Sequence, residues 1–131
     1  MLLLLAGCGK GGESIDIHMV ERETKAWESA PVSTMSVRDL MDYLELLGTE
    51  MTRATASGQF AEMHHLELAL TQALGALEGE VSEKARSTIN TLKIIAAKIH
   101  GAGHDQNSVM AGKLDQTLNA HISKLRQQIP L

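Results

Sequence analysis

Aromatic residues are nearly missing from this chain: Trp27, Tyr43 and Phe60 are the full set in 131 residues. Leucine, alanine and methionine supply the apolar bulk instead, a composition that favours helices over strands. The only cysteine is Cys8, so no disulfide can close within the chain. Pro31 and Pro130 are the only prolines, and the long stretch between them carries no such helix breaker. Positive charge is in deficit, with a formal net charge of −4 at pH 7. There is no basic patch, which leaves no electrostatic reason to bind nucleic acid. No nucleophile motif, phosphate loop or pair of buried carboxylates stands out, so the sequence points to a non-enzymatic protein. The apolar run at the N-terminus is too short to span a bilayer, which takes about 20 apolar residues.

What is present is helical periodicity. Phe60 to Leu77 holds the clearest stripe, with Met63, Leu66, Leu70, Leu74 and Leu77 at three- and four-residue steps on one face. A helix before it is expected from Ser36 to Ala56, burying Val37, Leu40, Leu44, Leu47 and Met51, with Met41 at the flank. Ser36 suits an N-cap, and Ser57-Gly58 suits a helix end because glycine takes the left-handed conformation readily. A third helix is expected from Ser82 to about His100, burying Ala85, Ile89, Leu92, Ala96 and Ile99, with Gly101 and Gly103 as its stop. The fourth runs from about Asn107 to Gln128, with Met110, Leu114, Leu118, Ile122 and Leu125 inward. Short connections force neighbouring helices antiparallel. The expected fold is therefore all-α, an up-down-up-down four-helix bundle over residues 35–131.

The first residues read MLLLLAGCGKGG, and Leu5-Ala6-Gly7-Cys8 resembles a bacterial lipobox. That resemblance implies a signal segment over 1–8, cleavage before Cys8, and lipid on the cysteine. The protein is then expected on the periplasmic face of a bacterial membrane, anchored through Cys8. Gly9 stands where an aspartate would direct inner-membrane retention, which favours the outer membrane. A basic leader is missing and the apolar run is shorter than the usual ~7–15 residues, so the natural start is expected upstream. Residues 9–34 read as a flexible tether holding His18 and Trp27. A protein partner or homodimer remains open.

Two family resemblances follow from the helices. EMHHLELALTQAL is similar to the marker helix Ile-His-x-Leu-Thr-Tyr-x-Leu-Glu-x-Ala-Leu of small exported proteins of unknown function, through Glu62, His64, Leu66, Leu70, Ala73 and Leu74. Glu67 and Leu68 replace the Thr-Tyr pair, and Thr71 replaces the Glu. Lys98-Ile99-His100 resembles the second marker of that family. Separately, Ser36 to Met41 and Leu118 to His121 resemble the first and last helices of the periplasmic cytochrome b562-type bundles. This second resemblance implies haem b, with Met41 and His121 as axial ligands, and electron transfer.

Topology gathers a second constellation. The start of helix two, the end of helix three and the loop after it lie at one end of the bundle. His64, His65, His100 and His104 therefore share a layer with Glu62 and Asp105. Imidazole and carboxylate together suit zinc or copper. His64 and His65 diverge by about 100°, so only one joins a given site easily. His100 and His104 have the His-x-x-x-His spacing, but the glycines between them would leave the pair unorganised. This end is expected to point away from the tether.

Overall fold

A computed structural model describes residues 30–131. The lipobox-like run with Cys8, His18 and Trp27 lie outside the described residues. Four helices fill the rest: α1 (Val37–Ala56), α2 (Phe60–Glu78), α3 (Glu83–His104) and α4 (Ser108–Gln128), preceded by a 3-10 turn at Val32–Thr34. α1 packs on α2, α2 on α3, α3 on α4, and α4 back on α1, so the helices form a square. The chain is an all-α, up-down-up-down four-helix bundle. Among the described residues no helix is long and apolar enough to cross a membrane.

Local chemistry sets most of the helix ends. Ser36 Oγ accepts from the Asp39 N–H at 3.1 Å, Ser82 Oγ from Ala85 at 3.3 Å, and Asn107 Oδ1 from Met110 at 3.0 Å. Each satisfies a first-turn donor that has no partner inside the helix. α1 ends in a Schellman turn: the Gly58 N–H bonds the Thr55 carbonyl, the Gln59 N–H bonds the Ala54 carbonyl, and Gly58 has φ 67°. Val32 and Met35 fold against the end of the bundle where α1 begins and α2 ends. The opposite end holds the C-termini of α1 and α3 and the N-termini of α2 and α4.

The leucine stripe of α2 is buried in full, and so is the alanine–isoleucine stripe of α3. Met41 is core rather than flank, with no exposed surface. Two departures from the sequence reading matter for the site. First, Gly101 and Gly103 do not stop α3, which runs on to His104. Two glycines cost the helix about 1 kcal/mol each. Burial of Ile99 and Ala102 on the same face offsets that. The helix ends instead in a second Schellman turn, with Asn107 N–H on the Ala102 carbonyl and Gln106 N–H on the Gly103 carbonyl. Gln106 takes the left-handed position at φ 52°, where α1 uses a glycine.

Second, α4 enters the core one residue out of phase with its large hydrophobes. Ala111 and Asp115 face inward, and Leu118, Ile122 and Leu125 continue that face. Met110 is 46% exposed and Leu114 only half-buried. The phase follows from a polar contact between α4 and α1, described below, that reading apolar residues alone does not detect.

Candidate metal centre

His64 and Glu67 are three residues apart on α2, so they share one face. His100 projects toward them from α3. His100 Nδ1 lies 3.1 Å from His64 Nδ1 and 3.0 Å from Glu67 Oε1. One ligand atom from each of the three residues falls within 4.8 Å of the other two. Glu67 is buried at 8% exposure, whereas the two histidines are half-buried. Thr71, one turn further along α2, donates to the Glu67 backbone carbonyl at 3.0 Å and approaches Glu67 Oε2 at 3.4 Å. His64 and His100, but not Glu67, open onto a groove of about 340 Å³ that Phe60, Ala61, His65, Ile99, Gly103, His104 and Gln106 also line.

Protons are too few for the atoms that converge. An ionised carboxylate only accepts, and a neutral imidazole nitrogen either donates or accepts. If His100 Nδ1 carries a proton, that one proton faces both Glu67 Oε1 and His64 Nδ1. If His64 donates to His100 Nδ1 instead, the buried Glu67 oxygen faces a lone pair. Either way two acceptors compete for one donor beside a buried carboxylate whose only ion-pair contact among the described residues is His100. A cation at the convergence point satisfies all three. Zinc at 2.0–2.1 Å from each ligand requires ligand atoms about 3.3–3.4 Å apart in a tetrahedron. The two separations at His100 Nδ1, 3.1 and 3.0 Å, are within a few tenths of an ångström of that, and the third, between His64 and Glu67, is within 4.8 Å.

His65 and His104 stand around this trio. The His64 and His65 rings meet edge-on with centroids 5.6 Å apart, and His65 stays outside the three-atom cluster, as its divergence on the helix requires. His104 lies 4.6 Å from His100 and 6.3 Å from His64 between ring centroids. Because α3 continues through both glycines, His100 and His104 form a helical i, i+4 pair after all. Glu62, grouped with the tip histidines in the sequence, is buried in an ion pair with Arg53, which also holds Glu50 at 2.8 Å. Glu67 is the candidate ligand that reading the sequence for histidines overlooks; its spacing from His64 is the signal that could have found it.

Met41 and His121, the pair that the cytochrome resemblance nominates, are placed differently from the histidine tip. Met41 is sealed in the core. His121 is half-buried at the edge of α4, and its Nδ1 donates to the Thr117 carbonyl at 2.9 Å. Neither residue lines the histidine groove.

A third buried carboxylate lies between α4 and α1. Asp115, 5% exposed, accepts from Thr52 Oγ1 at 2.9 Å and from Asn119 Nδ2 at 3.1 Å. Asn119 also donates to the Gly48 carbonyl at 3.3 Å. Burial raises the Asp115 pKa, while the hydrogen bonds from Thr52 and Asn119 pull it down. A Cβ on Gly48 would stand 2.5 Å from Asn119 Oδ1 and 3.1 Å from Ile122 Cδ1, so only glycine lets α4 approach this closely.

No family model, no curated protein and no solved structure matches this chain.

Proposed function

We propose that the bundle is a non-enzymatic module that binds a divalent transition metal through His64, Glu67 and His100. One observation carries the reading: two histidine Nδ1 atoms and an oxygen of a buried carboxylate converge, and a ring nitrogen can offer at most one proton to its two contacts. Two imidazoles and a carboxylate suit zinc or copper(II), and a hard oxygen ligand disfavours copper(I). Behind Glu67, the Thr71 hydroxyl approaches carboxylate Oε2 at 3.4 Å and would help to orient the side chain toward the ion. A further ligand would then enter from the groove beside the two histidines. In this reading the tip points away from the start of α1, where a tether lipidated at Cys8 on the periplasmic side would enter. That orientation keeps the site accessible to a soluble ion or a protein partner.

Zinc tests the proposal directly. A ligand that binds only the folded state adds about 2.7 kcal/mol at 100 times its Kd. Zinc is therefore expected to raise the unfolding temperature at pH 7.5 by several degrees. The gain should disappear near pH 5, because protonated imidazole cannot ligate. It should also disappear in a His64→Ala/His100→Ala protein and persist in His121→Ala. A melting temperature indifferent to zinc, copper(II) and nickel at pH 7.5 rejects the proposal.

A further inference from the structure

We infer that His104 is an exchangeable fourth ligand that closes over the ion, which makes the tip a site for handing metal on rather than for holding it permanently. The inference rests on the metal reading above and adds how the ion enters and leaves. Three ligands from two rigid helices define one side of a coordination sphere, and the groove defines the other. Imidazoles bound to one tetrahedral zinc have ring centroids about 5 Å apart, given Zn–N of 2.0–2.1 Å. His64 and His100 already meet this at 4.8 Å, and His100 and His104 at 4.6 Å, while His64 and His104 are still 6.3 Å apart. His104 therefore sits one short swing outside the cluster, on the groove wall.

The segment that carries it is built to yield. His104 is the last residue of α3 and is exposed. It follows Gly101 and Gly103, which give a helix its greatest freedom to unwind. Neither glycine is there for want of room: a Cβ on Gly101 would meet nothing within 4 Å, and one on Gly103 would make ordinary contacts at 3.9 Å with Met63 and Phe60. The turn that ends the helix is strained as well, because Gln106 rather than glycine occupies the left-handed position. So the three inner ligands lie on firm helix, and the fourth lies on the turn most easily opened. An ion held this way can be released by losing one ligand at the rim, without unfolding the bundle.

The rate of zinc release tests the inference. Full-length protein loaded with one equivalent of zinc is mixed with a chromophoric chelator in a stopped-flow instrument. His104→Ala should release zinc at least about tenfold faster than wild type, the smaller end of what supporting residues contribute to metal sites. Gly101→Ala/Gly103→Ala keeps every ligand and stiffens the last turn, so release should slow several-fold. His121→Ala, away from the groove, should leave the rate unchanged. If wild type and His104→Ala both bind zinc and release it equally fast, or if the double alanine variant releases it faster, His104 is not the exchanging ligand. If wild type binds no zinc, the metal reading itself fails and this inference falls with it.

Discussion

Two of the buried carboxylates of this bundle, Asp115 and Glu67, are treated in opposite ways. Asp115, between α4 and α1, is surrounded by donors: the Thr52 hydroxyl and the Asn119 amide each have a proton for it. Gly48 lets the two helices close tightly over the group. Glu67, between α2 and α3, faces a histidine nitrogen that a second histidine nitrogen also faces, and its surroundings open to a groove. A buried polar group with complete partners fixes how helices pack. One with more acceptors than protons is left requiring something from outside. The same residue class at similar depth is structural in the first place and a candidate ligand in the second, and the donor count separates them.

The largest expected effect concerns the helix face that carries Glu67. Leu70→Ala should cost about 2–5 kcal/mol through lost transfer energy and the cavity left behind. Leu68→Ala, at a half-buried position, should cost much less. Denaturant titration measures both, and equal losses would mean that the α2 face is drawn wrongly. Next comes the closed cluster. Gly48→Ala pushes a methyl group into Asn119 and Ile122 and should cost about 1–3 kcal/mol, as overpacking generally does. A neutral result there would show that α1 and α4 can part without loss, and the structural role of the Asp115 cluster would be gone.

Charge sharpens the contrast further. The folded state raises the Asp115 pKa, so it binds this proton more tightly than the unfolded chain does. The group's contribution is therefore fully present below the unfolded value of about 3.9 and is lost as pH rises through the folded pKa. Asp115→Asn removes that titration. The stability of the variant relative to wild type should rise as pH increases across this window, then level off. A constant difference between pH 3 and 7 would contradict the linkage. Glu67→Gln should differ: without metal its stability should stay within about 1 kcal/mol of wild type, because replacing a poorly paired buried charge costs little. Its stabilisation by zinc should be lost. The smallest effect is at the rim, where Gln106→Gly relieves a left-handed conformation costing about 1–2 kcal/mol, partly offset by the greater freedom of glycine in the unfolded chain.

Much of the bundle was legible in the sequence because its signals are local or periodic. Ser36, Ser82 and Gly58 mark helix ends by their own chemistry, and the stripes of α2 and α3 are set by residue spacing. The gathering of His64, His100 and His104 followed from topology alone. Three features were not legible, each because a tertiary contact outweighs a local preference. Gly101 and Gly103 read as a stop, but burial of Ile99 and Ala102 carries α3 past them. Met110 read as core, but the Asp115–Thr52–Asn119 contact turns Ala111 and Asp115 inward and leaves Met110 exposed, with Leu114 packed at the core's edge. Glu67 read as an ordinary helix residue, since its role appears only once α3 brings His100 beside it.

The claim at the centre is that His64 Nδ1, His100 Nδ1 and Glu67 Oε1 together take up one divalent ion. Nitrogen NMR of histidine-labelled protein, titrated with zinc at pH 7.5, tests it atom by atom. The Nδ1 resonances of His64 and His100 should move together and saturate at one equivalent, and Glu67→Gln should weaken the response at both. Zinc shifts confined to other histidines, or a His64 and His100 pair that does not respond, would contradict the claim and leave the trio as a hydrogen-bonded contact between two helices.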